Sequence, residues 1–130
     1  MKILGIGVDI TQNKRIQLLI KNKLFVKRVF SKKEIKFSKK NLNKSNFFAK
    51  RFAAKEALTK SIGTGFRKGL NFKDIEVLND KLGKPYYLNS KKIDKIIKSK
   101  FKIKKYNLFL SISDEKDYSV AFTILQKKWC

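Results

Sequence analysis

Hydrophobic and polar positions alternate from Lys2 to Ile10, with Leu4, Ile6, Val8 and Ile10 on one face and Ile3, Gly5, Gly7 and Asp9 on the other. A period of two predicts a strand. Two glycines clear the face on which Asp9 stands, so a second backbone or a ligand can come close there. From Thr11 to Lys23 the spacing becomes helical, with Ile16, Leu19 and Ile20 on one stripe and Arg15 off it, exposed. Helical character continues from Phe25 to Phe30. Ser31-Lys32-Lys33-Glu34 is a capping-box pattern that starts a short helix at Ser31. Ser38 to Lys44 is polar and reads as a surface loop.

The longest periodic stretch runs from Ser45 to Gly65, with Ser45 as N-cap and Gly63 as the stop. At about 100° per residue, Phe47, Ala54, Leu58 and Ile62 form one stripe. Phe48, Phe52 and Thr59 form a second apolar arc, with Ala49, Ala53, Glu56 and Lys60 beyond it. Both arcs call for cover, which makes this helix central. A carboxylate on a mostly covered helix needs a partner. Glu56 either pairs with Lys60 at i,i+4 or points with it into a phosphate and metal site.

Beyond the helix lies a glycine-rich loop, Gly63-Thr64-Gly65-Phe66-Arg67-Lys68-Gly69. Phe72 to Leu78 reads as a strand, Asn79 to Gly83 as a turn, and Lys84 to Leu88 as the returning strand of a hairpin. Ser90 caps a basic helix to about Ser99, with Ile93, Ile96 and Ile97 inward. Asn107 to Ser113 and Tyr118 to Leu125 are strands joined by the acidic turn Asp114-Glu115-Lys116-Asp117. This order predicts the α+β class, a mainly antiparallel sheet packed on the long central helix.

Composition narrows the chemistry. The 130 residues make one domain, 1–130, with 42% hydrophobic content that argues against disorder. No apolar run approaches the ~18 residues of a membrane span, and no signal-peptide pattern opens the chain. The single cysteine, Cys130, gives no disulfide framework and fits a reducing, cytoplasmic setting. There is no histidine, which removes imidazole acid–base chemistry, a Ser-His-Asp triad and most zinc sites. Chemistry is left to carboxylates, lysines, hydroxyls, backbone amides and a hard metal ion. Asp9 serves such a site or caps the helix that follows it.

The formal charge of +23 raises nucleic acid as a partner. Against this, the arginines are only Arg15, Arg28, Arg51 and Arg67, and the lysines are spread over nearly every segment. A lysine smear reads bases poorly, because bidentate recognition belongs to arginine. An A+T-rich coding sequence accounts for much of the excess, and what remains still steers an acidic partner. A basic nucleic-acid-binding α+β module is the alternative function.

Five stretches occur in a telling order: Gly5-Ile6-Gly7-Val8-Asp9-Ile10, Arg28-Val29-Phe30-Ser31-Lys32-Lys33-Glu34, the run Arg51 to Gly65, Gly83-Lys84-Pro85, and Ser111-Ile112-Ser113. Together they resemble the holo-acyl-carrier-protein synthases, the small 4′-phosphopantetheinyl transferases, over nearly the whole chain. The resemblance implies that fold and the transfer of the 4′-phosphopantetheine arm of coenzyme A to a serine of apo-acyl carrier protein, in fatty acid biosynthesis. It puts Asp9 and Glu56 where the family has its magnesium ligands and Lys60 where it has the lysine beside the phosphates, all three catalytic. It puts Arg15 and Arg28 on or near the carrier-docking helix and implies a homotrimer with active sites at subunit boundaries. Gly63 and Gly65 would let amides approach a phosphate, and Lys84 beside Pro85 would reach the nucleotide. The serine proton goes to a metal-bound water or to Glu56. Two positions depart from the pattern. Asp114 stands where the family usually has histidine, at the nucleotide end of the pocket, and Lys50 replaces the usual glycine before Arg51.

Overall fold

The computed structural model describes residues 2–67 and 69–129. Lys68 of the glycine-rich loop, and Cys130 with the reading attached to its thiol, lie outside the described residues. The chain runs β1 (Lys2–Gln12), α1 (Asn13–Leu19), α2 (Lys23–Val29), α3 (Lys32–Ser38) and α4 (Lys44–Ile62). A 3-10 turn (Phe72–Asp74) leads to β2 (Val77–Asn79), β3 (Pro85–Tyr87), α5 (Lys91–Phe101), β4 (Tyr106–Asp114) and β5 (Tyr118–Lys127). β1, β5 and β4 form one antiparallel sheet in that order, and β2 and β3 form a separate two-stranded ribbon packed beside β4. No helix among the described residues is long and apolar enough to cross a membrane.

Helix α4 packs on this sheet, and the two glycines of β1 explain how closely. A β-carbon on Gly7 would collide with the carbonyl oxygen of Ala57, and one on Gly5 with that of Ser61. The second backbone admitted by the glycine face is therefore the helix itself. Small residues on the middle strand, Ser119, Ala121 and Thr123, are fully covered beneath it, and Ala53, Ala54 and Ala57 meet them from the helix. Both apolar arcs of α4 are buried, as the periodicity requires.

The alternating apolar face of β1 points away from the helix. Ile6, Val8 and Ile10 are 55%, 53% and 64% exposed, and Phe109 of β4 and Phe122 of β5 lie exposed on the same side of the sheet. A bulge between Ile3 and Gly5 turns Leu4 into the core and Ile3 outward, the reverse of simple alternation.

Several boundaries differ from the sequence reading. Thr11 belongs to β1, and the stretch to Phe30 splits because Asn22 caps α2, accepting from the amides of Leu24 at 2.9 Å and Phe25 at 3.4 Å. α4 starts at Lys44, with its N-cap two residues before Ser45. Its cap is Asn43, whose Oδ1 accepts from the Asn46 amide at 3.0 Å and from the Ser45 hydroxyl at 2.9 Å. Phe72 to Leu78 is not one strand. Asp74 folds back on the Asn71 amide at 2.8 Å to close a turn, and pairing begins only at Val77. The Ser31 capping box, the Ser90 cap and the left-handed Gly63 stop at φ 87° form as expected.

Candidate active site

Strand β1 and helix α4 bring three of the proposed site residues to one spot. Lys60 donates to Asp9 Oδ1 at 3.1 Å and to the Val8 carbonyl at 3.0 Å. Asp9 Oδ2 accepts from the buried Thr11 hydroxyl at 2.8 Å. Asp9 is thus no helix cap; α1 has Gln12 at its N-cap, without a side-chain bond. Glu56, one turn before Lys60, is half-buried and makes no ion pair with Lys60, which goes to Asp9 instead. Burial pushes the Glu56 carboxyl above its ordinary range, the Asp9 charge adds to this, and Lys60 and Arg15 oppose it. Arg15 of α1 therefore flanks the carboxylates, with its guanidinium 5.8 Å from the centre of the Phe52 ring.

A carboxylate whose proton affinity is raised by a neighbouring carboxylate favours a cation between the two. Among the described residues no group of three or more His, Cys, Asp or Glu gathers to hold a metal ion. Asp9 and Glu56 alone cannot close a cage around a soft metal. They fit magnesium, which is usually held by one or two carboxylates with phosphates and waters completing its shell.

The remaining predicted residues do not join this cluster. Gly63 ends α4; its amide bonds the Thr59 carbonyl at 2.9 Å and so is committed to the helix. Gly65, at φ 61°, has nothing within 4 Å of where a β-carbon would sit. Lys84 and Pro85 lie on the ribbon next to β4, across the sheet from β1. Pro85 lines a cleft of about 110 Å³ with Lys50, Arg51, Asn79 and Asp114, so both departures from the family pattern fall in one place. Asp114 accepts from Asn46 there at 2.7 Å. Arg51 stacks on Phe47 at 3.6 Å and donates to Asn79 at 2.6 Å, leaving a buried Nε without a partner among the described residues. Arg28 is exposed in the last turn of α2.

Sequence reasoning missed Lys55, which is fully buried. Its ammonium reaches Glu34 at 2.6 Å and the carbonyls of Val29, Phe72 and Ile75 at 3.0, 2.9 and 2.6 Å. Glu34, also fully buried, accepts in addition from the amides of Ser31 at 2.9 Å and Val77 at 3.1 Å. The signal was present: Lys55 falls within the apolar arc of Phe48, Phe52 and Thr59, where a cation is out of place unless paired.

The chain matches the family described as the 4′-phosphopantetheinyl transferase superfamily across residues 5–123. It belongs to that superfamily. A holo-[acyl-carrier-protein] synthase of Pelagibacter ubique is 65% identical over 128 residues, covering 98% of this chain and 100% of that one. The holo-[acyl-carrier-protein] synthase structure from Neisseria meningitidis superposes with a TM-score of 0.86 at 37% identity, covering 97% of this chain and 100% of that one. The Bacillus anthracis holo-(acyl-carrier-protein) synthase, solved in complex with CoA (3′,5′-ADP), gives a TM-score of 0.80 at 35% identity, covering 97% and 98%. These phosphopantetheinyl transferase relatives give no support to the nucleic-acid-binding alternative.

Proposed function

We propose that this transferase moves the 4′-phosphopantetheine group of coenzyme A onto a serine of apo-acyl carrier protein, releasing adenosine 3′,5′-bisphosphate, as a cytoplasmic step of fatty acid biosynthesis. The observation that carries it is the convergence of Asp9, Glu56 and Lys60 between β1 and α4. Asp9 and Glu56 would hold magnesium, which when bound supplies positive charge to the pyrophosphate as its bond breaks. Lys60, on a half-exposed side chain, sets an ammonium against the leaving phosphate. The serine proton would go to Glu56, whose proton affinity is raised, or to a metal-bound water. Arg15 and Arg28, on the basic α1–α2 surface, would meet the acidic carrier and speed its encounter.

Two observations support a homotrimer with shared sites. The outer sheet face carries Ile6, Val8, Ile10, Phe109 and Phe122 exposed side by side, an apolar row of the kind that marks an interaction surface. The Asp9–Glu56 centre and the cleft lined by Pro85 and Asp114 lie at opposite edges of the sheet, so one subunit's cleft would complete its neighbour's centre.

Mass spectrometry of apo-acyl carrier protein, incubated with the protein, coenzyme A and magnesium, tests the reading. The carrier should gain one phosphopantetheine, and a chelator should abolish the gain. A folded protein that leaves a competent carrier unmodified would refute the transferase.

A further inference from the structure

The Asp9 carboxylate is already engaged on both oxygens. Thr11, 2% exposed, fixes Oδ2 from within the strand at 2.8 Å. Oδ1, the oxygen turned to α4, carries the Lys60 ammonium at 3.1 Å, which the Val8 carbonyl steadies at 3.0 Å. The two ends of this ion pair differ: the Asp9 side chain is 15% exposed and the Lys60 side chain 52%. Asp9 is anchored and Lys60 is on a flexible, wet tether. Around them the charges balance, with Asp9 and Glu56 against Lys60 and Arg15.

We propose that Lys60 is the resident counter-cation of Asp9, and that a divalent metal ion displaces it from Oδ1. The inference rests on the reading of Asp9 and Glu56 as the metal carboxylates. A pair with one partner half in water is weak and is exchanged readily. A doubly charged, oxygen-seeking ion between two carboxylates outcompetes a lone ammonium for the same oxygen. Once the ion is seated, the four side chains no longer balance, and the released ammonium turns to the nearest new anion, the phosphates of the donor. Metal loading thereby frees the cation that the leaving group needs. Because the exchange is an equilibrium, Lys60 must weaken metal binding by as much as the metal weakens the Lys60–Asp9 contact.

Calorimetric titration of the full chain with magnesium, in the absence of coenzyme A, reads this directly. Lys60→Met should bind magnesium about fivefold more tightly than wild type, the equivalent of losing one exposed ion pair. Arg15→Met, which removes a nearby charge without freeing an Asp9 oxygen, should gain clearly less. In parallel, the Lys60 side-chain nitrogen resonance should move when wild type is saturated with magnesium. An unchanged affinity in Lys60→Met, an equal gain in Arg15→Met, or an unmoved resonance overturns the exchange. Glu56→Gln separates this from the underlying reading. If it keeps wild-type affinity, the ion sits elsewhere and both fall; if it loses binding while Lys60→Met gains nothing, only the exchange falls.

Discussion

Lys55 and Glu56 are neighbours in the chain and face opposite demands. Lys55 is fully covered, held by Glu34 and three backbone carbonyls, and burial pulls its ammonium below the ordinary lysine range against the pull of Glu34. Removing one partner of such a pair leaves the other charge buried and alone, at a cost of about 3–5 kcal/mol. Lys55→Ala should therefore unfold at far lower denaturant than wild type. The Lys55→Met, Glu34→Gln double variant should recover part of the loss, and a double variant no better than the single would mean that the hub is not a coupled pair. Glu56 is the reverse case, a carboxylate that the fold makes less comfortable when ionised. Burial, then Asp9, raises its proton affinity in the folded chain. A carboxyl with a raised folded pKa binds more protons folded than unfolded, so its ionisation lowers stability as pH rises through the folded value. Metal-free Glu56→Gln should thus melt higher than wild type at neutral pH, and the gain should disappear in acid, where Glu56 is protonated in both states. A gain that is flat across pH would place the effect outside this ionisation.

At the scale of elements, β1 and α4 make the site by touching backbone to backbone. Gly7 stands against the carbonyl of Ala57, the residue that follows Glu56, so its missing side chain sets the distance between Asp9's strand and Glu56's helix. Gly7→Ala should cost about 1–3 kcal/mol by overpacking and depress turnover further than its stability loss explains, since a displacement of order 1 Å between catalytic groups can cost about 10²-fold. Gly83→Ala, at a glycine with a left-handed φ of 88° in the open hairpin turn, should lower stability and leave turnover per folded molecule intact. Equal turnover loss in both would remove the special status of the β1–α4 contact. This pairing was legible in advance because glycines alternating with Asp9 have one physical use, close approach. The helices were legible where a side chain caps them locally, at Ser31 and Ser90. Asn43 escaped because Ser45 offered an equally good cap on paper, and the choice between them is made by tertiary contacts of the first turn. Thr11 escaped for a related reason. Helical spacing after it pulled it into the next element, whereas β5 pairing keeps it on the strand through Ser119 and so beside Asp9. The Phe72 strand failed because long-range groups decide it: Lys55 claims the carbonyls of Phe72 and Ile75, which takes them out of any ladder.

At the scale of the whole molecule, one subunit holds the two halves of the proposed site apart. Asp9 and Glu56 lie by the β1 edge, while Lys50, Pro85 and Asp114 share a cleft by β4, at the opposite edge of the same sheet. The exposed apolar face on the side of the sheet away from α4, with Phe122 on the middle strand opposite Val8 and Ser111, is where subunits would meet. Phe122→Glu would put a charge in the middle of that contact, where desolvation is costly, yet its side chain already faces outward in the single chain. The variant should keep its circular dichroism, sediment as a monomer and lose transfer activity. Retained activity in a monomer would mean that one subunit suffices. Shared sites make a sharper demand on mixtures. Glu56→Gln spoils the carboxylate centre and leaves the cleft; a Lys50→Glu variant reverses a charge on the cleft wall and leaves the centre. Each should be inactive alone. Unfolded and refolded together, they form mixed assemblies in which an intact cleft faces an intact centre, so transfer should return at a fraction of the wild-type rate. If the mixture stays as inactive as its components, each site is built within one subunit, and the opposite placement of its halves would have to be closed by movement of the β2–β3 ribbon instead.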